Sequence, residues 1–261
     1  MSEYEKLTNQ PLVITLAEFR FSAILKMENY VSAFQDYLRQ DFPHFSTTQT
    51  QEMVFNPNGI QVKASTGWLF LSSNKKSALM LDKDKITFMT SSYNRFPQFW
   101  DDCQKALSFI EKEVKPALLL RIGLRYSDLI IGKEENEQIE SYVQPVVCNT
   151  GYIENIGKQA HRINETVLET NVGRMAIRSL YGVLNLSAWH DLSEPPIIIN
   201  KYPKHSNRIL LDFDHFWQSN ENEEDVPFNV QFIEKKLNLL HEKSREAFWE
   251  ITTLEGREHW K

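Results

Sequence analysis

The chain has 261 residues, 41% hydrophobic and 25% charged, the balance of an ordinary folded protein with enough apolar material for a sizeable core. Its formal net charge of -6 argues against non-specific binding to polyanions. No apolar run approaches the ~20 residues that span a bilayer, and the start lacks the basic, apolar, small-residue order of a signal peptide. A cytoplasmic location is expected. Cys103 and Cys148 fall on apolar stretches and are expected as buried free thiols, which suits a reducing compartment.

Residues 12–24 read as a strand, with Val13, Thr15, Ala17, Phe19 and Phe21 on one face and Leu12, Ile14, Leu16, Glu18 and Arg20 on the other. Tyr30, Val31, Phe34, Tyr37 and Leu38 recur at helical spacing over 28–42, and Pro43 stops that helix. Short strands are expected at 53–55, 68–71, 78–81 and 86–89. The turn signal Asn56-Pro57-Asn58-Gly59 follows the first, and a hairpin across 82–85 joins the last two. Pro97 opens a helix with the buried stripe Trp100, Cys103, Leu107, Ile110 and Val114, which Pro116 closes.

Residues 118–126 then read as a strand carrying two arginines on one face. Arg121, Gly123 and Arg125 share that face, while Leu120, Ile122, Leu124 and Tyr126 share the other. Arginine keeps its charge, so a strand this apolar needs a carboxylate close by or a cleft to open onto. The charged stretch 131–141 marks the boundary between halves. Strands are expected at 142–147, 197–200 and 208–213, and a hairpin of 166–169 with 175–185 turns at Asn171-Val172-Gly173. Residues 218–226 form an acidic loop expected to be mobile. A helix over 228–251 follows, with Ile233, Leu237, Leu240, Ser244, Ala247, Phe248 and Ile251 as its core stripe, and Trp260 in the tail packs back. The expected fold class is α+β, in two similar halves, 1–131 and 132–261, each an antiparallel sheet closed by a long helix.

The opening strand's Leu16-Ala17-Glu18-Phe19-Arg20-Phe21, the central Arg121-Ile122-Gly123-Leu124-Arg125-Tyr126 and the terminal helix from Leu240 to Thr252 carry a resemblance. Together they resemble a sporadically distributed family of uncharacterised prokaryotic proteins, nearly end to end. In that family's central motif an Asn commonly comes two residues after the Tyr, where this chain has Asp128. The resemblance implies one structural unit for the two motifs and carries over no activity or catalytic residue.

The first polar constellation is Glu18, Arg20, Arg121 and Arg125. If the two motif strands are neighbours, Glu18 bridges Arg121 or Arg125 and fixes the register; alternatively one arginine stays free as an anion site. The second is Asp212-Phe213-Asp214-His215, where paired carboxylates on one strand face are a weak alternative as a metal site for phosphoryl chemistry. Two exposed aspartates on an edge strand is the plainer reading. No two histidines sit at i, i+4, and no glycine-rich phosphate loop or Gly-x-Ser-x-Gly elbow is present, so no metal and no cofactor is expected. His241 is expected as a hydrogen-bonded histidine near the buried stripe of the last helix.

Lys158, Arg162, Arg174, Arg178, Lys201, Lys204 and Arg208, with Tyr181, Trp189 and Tyr202 between them, form a possible RNA-facing set that is not favoured. The expectation is a non-enzymatic binding or protein-interaction module. Its partner would be a protein or a second copy, within a prokaryotic defence or toxin-neutralising operon, with Trp68, Tyr93, Phe96 and Phe99 as candidate contacts. The alternative is a metal-dependent enzyme or binder acting on nucleic acid or a phosphorylated small molecule.

Overall fold

The computed structural model describes residues 4–56, 59–132, 137–149, 151, 155–219 and 224–261. The chain runs β1 (Leu12–Phe21), α1 (Glu28–Leu38), β2 (His44–Asn56), β3 (Gly59–Leu71), β4 (Ser77–Leu81), β5 (Lys85–Thr90), α2 (Phe96–Phe109) and β6 (Leu119–Ile131). It continues through α3 (Pro145–Cys148), β7 (His161–Glu169), β8 (Arg174–Leu184), β9 (Ser206–Gln218), α4 (Val230–Ile251) and α5 (Leu254–His259). The strands form one nine-stranded sheet in the order β2-β3-β4-β5-β1-β6-β9-β8-β7, and each described pair is antiparallel. The class is α+β.

The two motif strands, β1 and β6, lie side by side at the centre, with Leu16 opposite Arg125 and Arg20 opposite Arg121. Two irregularities adjust which side chains face where. Leu12 pairs Asp128 while Ile14 pairs Ser127, so Val13 is an extra residue in β1, a bulge that turns Leu12 onto the face opposite Ile14. At the other end Phe21 pairs Leu119, skipping Leu120. Leu119 is therefore buried and Leu120 exposed, which corrects the strict alternation expected for this strand.

One face of the sheet packs against helices. Phe19, Phe21, Phe70, Phe88, Ile122 and Leu124 meet α1, α2 and α4 in the main core. Helix α2 starts at a proline and buries Phe96, Phe99, Trp100, Cys103, Ala106 and Leu107. It continues as a wider turn over Ile110–Val114, which Lys115 ends in a left-handed conformation at φ 54°. Helix α4 is capped by Asn229, whose side-chain oxygen accepts from the Phe232 N–H at 2.8 Å. It buries Val230, Ile233, Leu237, Leu240 and Ser244 at helical spacing. Trp260 is buried in a second cluster, as expected.

The opposite face is covered by the connection between β8 and β9. Ala188, Leu192, Ile197 and Ile199 lie over β1, β4 and β5, and Trp189 packs with Leu129 and Leu210. The buried guanidinium of Arg208 anchors this connection by donating to the Leu186 and Tyr202 carbonyls, each at 2.5 Å, and to the Lys204 carbonyl.

Several expected elements differ. The strand expected at 53–55 is part of the long hairpin β2–β3; Pro57 and Asn58 of its turn lie outside the described residues. The strand at 142–147 is a tight turn, Ile139–Tyr142, and the short helix α3, because Pro145 takes the first helical position and lacks an N–H for a ladder. Residues 197–200 form no strand. Pro195 and Pro196 precede them, and their tie to the sheet is local: Ile198 N–H donates to the Lys75 carbonyl and Ser91 Oγ to the Ile198 carbonyl. Residues 220–223 of the acidic loop and 133–136 of the boundary stretch lie outside the described residues. Phe96 and Phe99 are core, and Trp68 and Tyr93 are half-buried against it, so none of the four is a free contact aromatic. Cys103 and Cys148 are buried and unbridged.

Candidate functional site

Strand β6 is a wall between two polar assemblies. On the face covered by the β8–β9 connection, each arginine has its own carboxylates. Arg125 Nε donates to Asp212 Oδ1 at 2.7 Å. Its two terminal nitrogens grip both oxygens of Asp191 at 2.8 and 2.9 Å, a bidentate clamp. Asp212 is fully buried, and its second oxygen accepts from Arg178 Nη1 at 3.0 Å; Arg178 Nε reaches Glu165 at 2.7 Å. Burial pushes the Asp212 carboxyl up, and the two guanidinium groups pull it back. Asp191 is held below the ordinary carboxylate range, first by its hydrogen bonds from Arg125.

Four residues along β6, Arg121 Nη1 donates to Glu18 Oε1 at 2.8 Å, as does Arg20 Nε at 2.7 Å. Lys85 adds a contact to the other Glu18 oxygen at 3.7 Å. Burial raises Glu18, but Arg20, Lys85 and Arg121 outweigh it and leave the carboxyl below its usual value. The Arg121 guanidinium lies 4.3 Å over the Phe216 ring, in the space left by Gly123; a Cβ there would sit 3.2 Å from Arg121 Nη1. Asp214 stands 4.0 Å from Arg121.

The expected cluster is therefore split. Glu18 takes Arg20 and Arg121, whereas Arg125 belongs to Asp191 and Asp212. Sequence reasoning missed Asp191. Asp212 and Asp214 do share a face, but β9 is an interior strand and Asp212 is buried between arginines, which corrects the picture of two exposed aspartates on an edge. Among the described residues no three acidic, His or Cys side chains are grouped to hold a metal ion. The basic set is dispersed as well: Arg208 is buried, Arg178 is paired, Arg174 pairs with Glu169, and Trp189 is core. His215 is enclosed, with its ring nitrogens against Thr170 Oγ1 and the Leu240 carbonyl.

The helix-facing side of β6 is different. A cavity of about 320 Å³ lies between the sheet and α4, bounded by the start of α2 and the segment before β1. Tyr126 and Asp128 of β6 form its floor with Phe213 of β9 and Leu12, and His241, Ser244, Arg245, Phe248 and Trp249 line it from α4. Tyr4, Tyr93 and Phe96 complete an aromatic lining. Its size falls near the lower end of ligand cavities, ~300–1,000 Å³.

Apart from Glu5, which pairs with Lys261 at the rim, its polar groups are arranged without charge pairing. Tyr126 Oη and His241 Nδ1 are 2.7 Å apart, and the imidazole stacks on Phe96 at 4.2 Å between ring centres. Burial, helped by Arg245, lowers the His241 pKa to about 3, so the ring is neutral. Burial raises Tyr126, and raises Tyr93 to about 12. Asp128 is only 3% exposed, and no described residue hydrogen-bonds to its carboxyl. Burial, with the charge of Asp212 behind it, raises its pKa to about 8. Arg245 lays its guanidinium 4.6 Å over the Tyr4 ring, and its buried Nε has no partner.

No family model and no curated protein matches the chain.

The chemistry of the two assemblies then separates them. The arginine face is closed on itself, with carboxylates on both arginines of β6. The cavity instead presents a neutral carboxyl, a neutral imidazole and an uncommitted guanidinium among aromatic rings. Such a combination of apolar wall and few convergent polar groups is what small-ligand sites share. Ser244, the aliphatic hydroxyl in the cavity lining, donates to the Leu240 carbonyl at 2.8 Å and so is tied to its own helix. Among the described residues no helix is long and apolar enough to cross a membrane.

Proposed function

We propose that this protein is a non-enzymatic binding module whose ligand site is the aromatic cavity between β6 and α4. The observation that carries the reading is Asp128, a buried carboxyl aimed into an apolar cavity with no described partner. Burying such a group unpaired is costly, so a fold that keeps one at a cavity floor has a use for it there. A binding role rather than catalysis is supported by Ser244, which is held by a backbone carbonyl, and by His241, which is neutral and stacked. The metal-dependent alternative has little support, because both Asp212 oxygens already accept from arginines.

The finer architecture belongs to the same proposal. In 1–131 the strand β1 pairs with β5, the last strand of a meander, and α2 follows; in 132–261 the meander β7–β8–β9 ends on a strand paired with β6, and α4 follows. We take these as two similar halves joined where β6 meets β9. The two motifs that carry the family resemblance sit on β1 and β6, which pair within the first half, and this supports treating them as one unit.

The test of the site uses N-phenyl-1-naphthylamine, a neutral apolar dye. Its fluorescence is expected to rise on binding the wild-type chain, with Trp249 as energy donor. The rise should be lost in Ser244→Phe, which fills the cavity, while helical circular dichroism is retained. Undiminished dye binding by folded Ser244→Phe would place the ligand elsewhere and overturn the reading.

A further inference from the structure

We propose that the cavity takes an aromatic monocarboxylate, its carboxylate gripped by Arg245 and Asp128 and its apolar body by the surrounding rings. This names the ligand class for the binding-module reading and rests on it.

Arg245 lies one turn after His241 on α4 and makes no hydrogen bond or ion pair with any described residue. A guanidinium with a buried, unsatisfied N–H is a planar donor fork, and its best partner is a carboxylate. Asp128 lies opposite, on the floor of the same cavity. At neutral pH its carboxyl is protonated, so it donates rather than repels. The neutral His241 ring is held through Nδ1 by Tyr126. The rim carboxylate Glu5 is committed to Lys261 at 2.7 Å, and Lys6 donates to Asn94. The cavity thus offers donors and positive charge without an ion pair, from Arg245 within and from Lys6 and Arg95 at the rim, which selects an anion and disfavours an amine. Phe96, Phe213, Phe248 and Trp249 supply flat apolar walls, so the complementary body is aromatic.

The titratable and charged groups that share the cavity with Asp128 are Tyr126 on its own strand, Tyr93 and Arg95 ahead of α2, and His241 and Arg245 on α4. Tyr4, Glu5 and Lys6 line it from before β1, and Asp212, behind Asp128 across the sheet, is the charge that acts on it. Of these, Asp128 is the group poised to change charge just above neutrality. As pH rises through about 8 it ionises and places a like charge beside the ligand's carboxylate, so affinity falls.

The test is calorimetric titration of the full chain with three probes of one shape: 2-naphthoate, neutral 2-naphthamide and cationic 2-naphthylmethylammonium. The naphthoate is expected to bind best, with the amide ~10-fold weaker or more and the ammonium weakest. Arg245→Gln should weaken naphthoate by ~10–100-fold and leave the amide unchanged, while Arg245→Lys falls between because it keeps the charge and loses the fork. Asp128→Asn should abolish the decline of naphthoate affinity above pH 8. Equal binding of naphthoate and amide, or unchanged naphthoate binding by Arg245→Gln, overturns the carboxylate assignment, as does preference for the ammonium. If the neutral dye binds and naphthoate does not, the carboxylate fails and the cavity stands. If neither binds, both fail.

Discussion

Strand β6 carries polar residues on both of its faces, and the two faces treat them oppositely. On one, Arg121 and Arg125 meet Glu18, Asp191 and Asp212 in short, directional bonds, and the β8–β9 connection seals the arrangement. On the other, Asp128 and Arg245 line one cavity and neither is paired. Charges that are matched internally fix register and loop position; groups left unmatched inside an apolar cavity are available to something from outside. A buried ion network is weak support for overall stability, but it is a strong constraint on how its pieces fit. The difference separates conspicuous arginines that form a frame from the inconspicuous residues that line the cavity proposed as the site.

The largest effect should come from breaking the frame at its centre. Asp212→Ala leaves the buried Arg125 and the partly exposed Arg178 without their shared partner and is expected to cost ~3–5 kcal/mol in urea denaturation. A loss under about 1 kcal/mol would mean that the arginine face is not a structural lock.

The site should behave in the opposite sense. Asp128 has a folded pKa of about 8, above its unfolded value of ~3.9. As pH rises from about 4 to 8 the unfolded chain sheds this proton while the folded chain retains it, so wild-type stability falls across that window. Asp128→Asn removes the penalty and is expected to stabilise by several kcal/mol at pH 8 and by almost nothing at pH 4. A pH-independent difference between the two curves would place Asp128 in the frame instead.

Smaller effects sharpen the comparison. Asp191 is half exposed, so Asp191→Ala should cost only about 1 kcal/mol, chiefly as faster amide exchange over 186–199. Its lowered pKa means that the same contribution is present above the ordinary carboxylate range and lost as pH falls through the folded value. Unchanged exchange in that segment would show that Arg208, not Arg125, holds the connection down. Glu18→Gln should cost at most about 1 kcal/mol and lose its effect in high salt, since Arg20 is half exposed. A salt-independent loss would show that Glu18 is buried more effectively than its neighbours imply.

The alternation that separates Arg121 and Arg125 from Tyr126 was legible in the sequence, because a strand's period of two depends only on local backbone geometry. The bond between Glu18 and Arg121 was legible as one of two pairings open to Glu18 on the condition that β1 and β6 are neighbours. The main partner of Arg125 was not legible. Asp191 sits 66 residues away on a short turn, which Arg208's grip on nearby carbonyls and the packing of Ala188, Trp189 and Leu192 bring to the sheet. Expectations for 142–147 and 197–200 failed where prolines override an apolar pattern that otherwise suits a strand. The cavity left one trace in the sequence: Asp128 interrupts the apolar face of Ile122, Leu124 and Ile130, an ionisable residue where the period demands a hydrophobe. Its counterpart Arg245 gave no such trace, since a lone arginine on a helix is ordinary until its surroundings are known.

The bulge at Val13 makes the wall of the cavity a matter of counting. Ahead of it, Leu12 faces the cavity; after it, Ile14 faces the other way. Every residue from Tyr4 to Leu12 therefore reaches its place through one inserted residue. Deleting Val13 would restore an even pleat and turn the chain ahead of it half over, swapping which of its side chains meet Asp128 and removing Val13's own packing against the cluster of Leu129, Trp189 and Leu210. The segment tolerates a change of letter more readily than a change of length.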